Sequence, residues 1–211
     1  MIPIAELRDK YQGRPAAILG GGPSLGRDFL QVAAMDEADG YPPVWIAVNN
    51  HALSLVDADV MVFWDDPSRS QVMREAVGGF KGVKVSPLAA WSDVDLSGEE
   101  WWRGRFSSHL ATWLGCWMGC EPVLLCGMDC YQNPRPVEAD VRDYAYRMPL
   151  EEHLESWREA LVKCPNAGRI KAVSGPLVEV FGRWGGDCFG GRTPPRNDTK
   201  ETTLDKPVNR V

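Results

Sequence analysis

Short apolar runs rich in β-branched residues alternate along the chain with segments whose apolar positions recur every three or four residues. Alternation of this kind predicts a parallel sheet covered by helices on both faces. Residues 16–20, 44–48, 58–64 and 83–86 read as strands, with a helix over 24–35 and only a short helical turn over 52–56. Leu110, Trp113, Leu114, Trp117 and Met118 stand at helical spacing within 107–120, and that segment runs directly into 122–126, a continuous apolar run suited to a strand buried on both faces. An amphipathic helix over 151–162, a strand over 169–173 and a helix over 176–184 complete the pattern, without an internal repeat. The expected fold is a Rossmann-like, doubly wound α/β domain with a mostly parallel sheet.

Two stretches interrupt this alternation. Residues 133–149 follow the strand that ends at Cys126, where parallel sheets present ligand sites at the carboxyl ends of their strands. Residues 185–211 are rich in Gly, Pro, Thr and charge, with little apolar surface to offset the entropy of ordering. The expected organisation is one nucleotide-binding α/β domain over 1–184 and a mobile C-terminal extension over 185–211.

Composition narrows the function. The 211 residues are 44% hydrophobic and 25% charged, which suits a single folded domain. Lys and Arg number 23 against 29 Asp and Glu, and a net charge of -6 disfavours bulk binding to nucleic acid or to an anionic membrane. The beginning of the chain lacks the basic and apolar regions of a signal peptide, and Glu121 interrupts the longest apolar stretch, so a cytoplasmic protein without a transmembrane segment is expected. Cys116, Cys120, Cys126 and Cys130 cluster, but not at the spacing of paired metal ligands. They read as reduced, buried thiols, with Cys116 and Cys120 one turn apart on a helix and Cys126 inside a strand.

Candidate chemistry gathers at the strand ends. In AILGGGPSLGRDFL, residues 17–30, the stretch Gly20, Gly21, Gly22, Pro23 and Ser24 lies between a strand and a helix. Glycines there let the backbone approach an anion, and free N–H groups at the helix start favour phosphate. Neither a Walker loop nor the dinucleotide G-x-G-x-x-G spacing is present. The next two strands end in Asn49-Asn50-His51 and Asp65-Asp66-Pro67. Asn49 suits a base or ribose, and the Asp pair suits a ribose hydroxyl or, beside phosphate, Mg²⁺; either strand end would also serve as a helix cap. Trp91, Trp101 and Trp102 would line an acceptor pocket or form a small satellite core.

The order GxGPSL, a strand ending in Asn, a strand ending in Asp before Pro, Arg105-x-x-Ser108 opening a helix, and then Gly127-Met128-Asp129-Cys130-Tyr131-Gln132-Asn133 resembles the bacterial lipooligosaccharide sialyltransferases of glycosyltransferase family 42. It also resembles the related domains that include archaeal 6-hydroxymethylpterin diphosphokinases. The resemblance spans residues 16–146 and is strongest in the Gly127–Asn133 string. It implies that Gly20 to Ser24 and Asn49 hold the cytidine monophosphate of a donor, with Asp66, Ser108 and Asp129 also in the nucleotide site. It implies further that Tyr131 and Tyr144 donate hydrogen bonds to the leaving phosphate, with Arg105 in the same catalytic set. The family's general base is a His between the second tyrosine and the next helix, a place matched by His153, which the periodicity puts inside the helix; His109 is the other candidate. Gly21 stands where the sialyltransferases have Asn, and Asp66 where they have Asn.

Three functions are therefore expected from this sequence. The first is a transferase using a nucleotide-activated, CMP-sugar-like donor and an unknown acceptor, with no firm cofactor. The second is a Mg²⁺-dependent pyrophosphokinase acting on a hydroxymethyl, pterin-like substrate, with Asp65 and Asp66 as metal ligands. The third is a nucleotide-binding module whose catalysis has lapsed. Association into a homo-oligomer is left open.

Overall fold

The computed structural model describes residues 1–39, 42–97, 104–130, 148–162 and 164–185. The strands are β1 (Ile2–Pro3), β2 (Ala16–Leu19), β3 (Val44–Val48), β4 (Val60–Val62), β5 (Val83–Val85), β6 (Val94–Asp95), β7 (Val123–Cys126) and β8 (Ile170–Ala172). The α-helices are α1 (Leu25–Asp39), α2 (Gln71–Gly79), α3 (Ser107–Trp117), α4 (Leu150–Leu161) and α5 (Val178–Phe181). Six strands form an all-parallel sheet in the order β5-β4-β3-β2-β7-β8, while β1 and β6 pair parallel to each other in a separate ribbon. The fold is thus the expected Rossmann-like α/β arrangement.

Alternation along the strands explains how both faces are covered. Ile18, Ile46, Val62 and Leu125 meet Leu110, Leu114 and Trp113 of α3 and Leu154 and Trp157 of α4 on one face. Leu19, Trp45, Ala47 and Leu124 meet Leu25 and Val32 of α1 on the other, where Met61 and Phe63 extend the layer to Met73 and Val77 of α2. Every residue of β2, β3, β4 and β7 is buried, which accounts for their unbroken apolar character.

From β2 the chain steps outward through β3, β4 and β5, then returns to place β7 on the other side of β2. The boundary between β2 and β7 is the point at which the winding reverses, since the helix after β2, α1, covers one face and the helix after β7, α4, the other, and a reversal of this kind leaves a crevice at the carboxyl ends. Register fixes what meets at the crevice: Leu19 lies opposite both Ala47 of β3 and Cys126 of β7.

Several local expectations change. In place of a helical turn over 52–56 the chain forms successive turns over 49–55, because Asn49 takes a left-handed φ of 56° and the bonds that follow, such as Leu55 N–H to Ala52 O at 2.9 Å, span only three residues. α3 stops at Trp117, and Gly119 at φ 78° turns the chain, so Cys120 lies beyond the helix rather than one turn along it. The helix expected over 176–184 is confined to α5, because Gly182 at φ 74° ends it and Trp184 N–H returns to Ala172 O at 2.9 Å. α2 was not anticipated; Ser70 caps it by accepting the Met73 N–H at 3.3 Å. Residues 186–211 lie outside the described residues, as do Trp101, Trp102, Tyr131 and Tyr144. No helix among the described residues is long and apolar enough to cross a membrane.

Candidate functional site

The glycine turn closes onto the β7 end through its backbone. Gly20 N–H donates to Cys126 O and Gly22 N–H to Gly127 O, both at 2.8 Å. A side chain at Gly20 would come within 2.6 Å of the Gly127 carbonyl, and one at Gly22 would collide with the Asp129 carboxylate. Gly127 itself has φ 65° and packs against Leu25 at the start of α1. The glycines are therefore needed first for contact between two strand ends, and this contact forms the floor of the crevice.

Ser24, at the start of α1, does not offer its N–H to an incoming anion. Asp129 Oδ2 accepts that N–H at 3.1 Å and lies 2.9 Å from Ser24 Oγ. A carboxylate of the protein thus fills the place at the helix N-terminus where phosphate was expected. Among the described residues no backbone carbonyl accepts the Gly21 N–H, and the His51 imidazole lies against the Gly21 backbone. Extending the β2–β3 register places Asn49 beside Gly21. The Asn49 Oδ1 is buried and has no hydrogen-bond partner among the described residues. Gly20 to Ser24 and Asp129 are therefore brought together, with Asn49 at the adjoining end of β3.

Other candidates lie elsewhere or have other partners. Asp66 caps the turn after β4, its Oδ1 accepting Ser68 N–H at 2.9 Å, and this backbone bond lowers its pKa from the usual carboxylate value. The capping reading therefore accounts for Asp66. Asp65, next to it, is exposed. Among the described residues no group of three or more His, Cys, Asp and Glu side chains is placed to hold a metal ion. Trp91 packs on the cluster of Met61, Phe63, Met73 and Val77, which is the satellite-core role.

Arg105 reaches Glu152 and Glu159 of α4, both at 3.6 Å, and its backbone N–H donates to His109 Nδ1 at 3.2 Å. Ser108 lies in the first turn of α3, its carbonyl accepting the Thr112 hydroxyl at 2.8 Å. His153 is inside α4, as the periodicity indicated, and is only 1% exposed. Its ring stacks on Phe106 at 5.5 Å, while His109 meets Phe106 at 5.0 Å and Trp157 at 4.4 Å. Burial, followed by the neighbouring His153 and Arg105, lowers the His109 pKa to about 3. His109 is consequently neutral at pH 7, part of an aromatic cluster between α3 and α4.

Sequence reasoning passed over three residues that join these elements, two of them at the crevice. Asp28 is fully buried in α1, one helical turn after Ser24. Ser174, just beyond β8, lies 2.7 Å from both Asp28 carboxylate oxygens, and the Gly127 N–H donates to Asp28 at 3.1 Å. The i, i+4 spacing of Ser24 and Asp28 was visible, but nothing local pairs Asp28 with a serine 146 residues away. Ser107 was also missed; its hydroxyl accepts the Trp64 N–H at 3.0 Å, tying the end of β4 to α3. No protein-family model and no curated protein matches the chain.

Proposed function

We propose that the protein is a transferase that draws on a nucleotide-activated donor, and that glycosyl transfer from a CMP-sugar-like donor is its reaction. The observation that carries this reading is the buried, unpaired Asn49 Oδ1 beside the glycine turn at the winding reversal. Leaving a buried acceptor unpaired costs about 1–3 kcal/mol, a cost removed when a ligand brings a hydroxyl or amino hydrogen. A nucleoside supplies such hydrogens from its ribose and base; a phosphate alone does not. In this reading Asn49 and Asp129 take the nucleoside, whereas Gly21 N–H faces the phosphate. The resemblance in the Gly127–Asn133 string supports the same assignment, with Tyr131 and Tyr144 as O–H donors to the leaving phosphate. His109 and His153 are given no base role, because both are buried in the aromatic cluster.

Thermal unfolding with CMP, UDP, GDP and ATP, each with and without Mg²⁺, tests the proposal. CMP at a hundred times its Kd should stabilise the protein by about 2.7 kcal/mol without metal, and Asn49→Ala should abolish the shift. Stabilisation by ATP only with Mg²⁺ would move the assignment to pyrophosphoryl transfer. No shift with any nucleotide would overturn the nucleotide reading.

A further inference from the structure

Asp28 is a fully buried carboxylate, an expensive group to place beneath a helix unless its partners are arranged for it. Its neighbours also form a count that does not close without Ser174. The Ser24 hydroxyl carries one hydrogen, yet its oxygen lies 3.0 Å from Asp28 Oδ2 and 2.9 Å from Asp129 Oδ2. It can donate to only one of them at a time. Asp28 has other donors: the Ser174 hydroxyl at 2.7 Å and the Gly127 N–H at 3.1 Å, with the mostly exposed Arg27 guanidinium at 3.4 Å. Among the described residues, Asp129 has only the Ser24 N–H besides.

We propose that Ser174 and Asp28 are positioning residues for the crevice carboxylate, acting on Asp129 through the single hydrogen of Ser24. Because Ser174 satisfies Asp28, Ser24 is free to give its hydrogen to Asp129. Two donors from Ser24 then converge on Oδ2, which fixes the carboxylate and leaves Oδ1, outside this network, for a ligand. Without the Ser174 hydroxyl, the buried Asp28 claims the Ser24 hydrogen. The Ser24 lone pairs then face Asp129 Oδ2, and the carboxylate loses its orientation. The network links α1, the end of β7 and the end of β8, the three segments that meet where the winding reverses. The ligand arm of this inference rests on reading the crevice as a nucleotide site; the positioning itself does not.

A double-mutant cycle in urea unfolding of the full chain tests it. Ser174→Ala and Asp129→Ala should be non-additive by about three- to thirtyfold in the unfolding constant, and the coupling should vanish when the cycle is repeated in Ser24→Ala. Additive effects overturn the proposal, as does coupling that survives without Ser24, which would mean direct contact. Should Ser174→Ala fail to fold, Ser174→Cys places a weaker donor there and should show the same coupling in smaller amount. In the ligand arm, Ser174→Ala should weaken CMP binding about tenfold in the wild-type background and not at all in Ser24→Ala. If the wild type binds no CMP while the stability cycle still couples through Ser24, the functional reading falls and the positioning stands. If CMP binds but Ser174→Ala leaves its affinity unchanged, the positioning of Asp129 for ligand is overturned.

Discussion

The His109 imidazole is 2% exposed, and its Nδ1 accepts the Arg105 N–H, which fixes the neutral ring with its hydrogen on Nε2. Folding lowers its pKa to about 3, mainly by burial. Between the unfolded value near 6.5 and the folded value, the unfolded chain binds a proton that the folded chain does not, so stability must fall as pH falls. This group alone contributes a slope of about 1.4 kcal/mol per pH unit, or roughly 2 kcal/mol between pH 6.5 and 5. His109→Asn retains an acceptor for Arg105 and cannot titrate, so urea unfolding at the two pH values should show that part of the slope gone. Gly127 has a positive φ of 65°, and an added Cβ would lie 2.7 Å from the Leu25 Cβ. Backbone strain and the clash act together there, and Gly127→Ala should cost upwards of about 2 kcal/mol, read as a lowered urea midpoint.

Among the elements, the helices and strands that carry their own periodicity were legible: β3 was expected over the residues where it occurs, and β7 and α3 to within a few residues. What eluded the sequence were joints made by distant partners. One local joint escaped as well: the strand end before Pro67 reads equally as a metal site or as a cap, and the structure shows the cap, with Asp66 accepting the Ser68 N–H. The glycine turn, Asn49 and Asp129 were legible as neighbours because each stands at a strand end. The Asp129 carboxylate on the Ser24 N–H was not, because this bond spans 105 residues. Ser107 is a joint of the same sort. Its hydroxyl, in a residue only 8% exposed, accepts the Trp64 N–H where β4 ends. Ser107→Ala removes the acceptor and leaves a donor without it, at a cost of about 1–3 kcal/mol. Hydrogen exchange of the Trp64 amide should accelerate in the variant more than that of amides in β8, on the opposite edge of the sheet.

At the scale of the whole molecule, the central strands move only when the domain opens, and β7 carries a reporter of that opening. Cys126 is fully buried between β2 and β8, and its thiol pKa is pushed up by burial and by the neighbouring Asp28. A thiol reagent needs both access and the thiolate, and the folded state denies both. Labelling of Cys126 should therefore track the population of the globally unfolded state, so that a variant destabilised by 1.4 kcal/mol labels about tenfold faster at the same reagent concentration when reclosing outpaces reaction. The same reporter responds to a crevice ligand, because whatever binds only the folded chain lowers the open population by mass action. CMP at a hundred times its Kd should slow Cys126 labelling about a hundredfold, measured site by site by mass spectrometry of the digested protein. Cys130, 7% exposed and three residues past the crevice glycine, separates local from global protection. If the ligand also closes the crevice mouth against local opening, Cys130 is slowed by more than Cys126, which falls only with the globally open population. Equal slowing at both shows that the ligand stabilises the sheet as one cooperative unit.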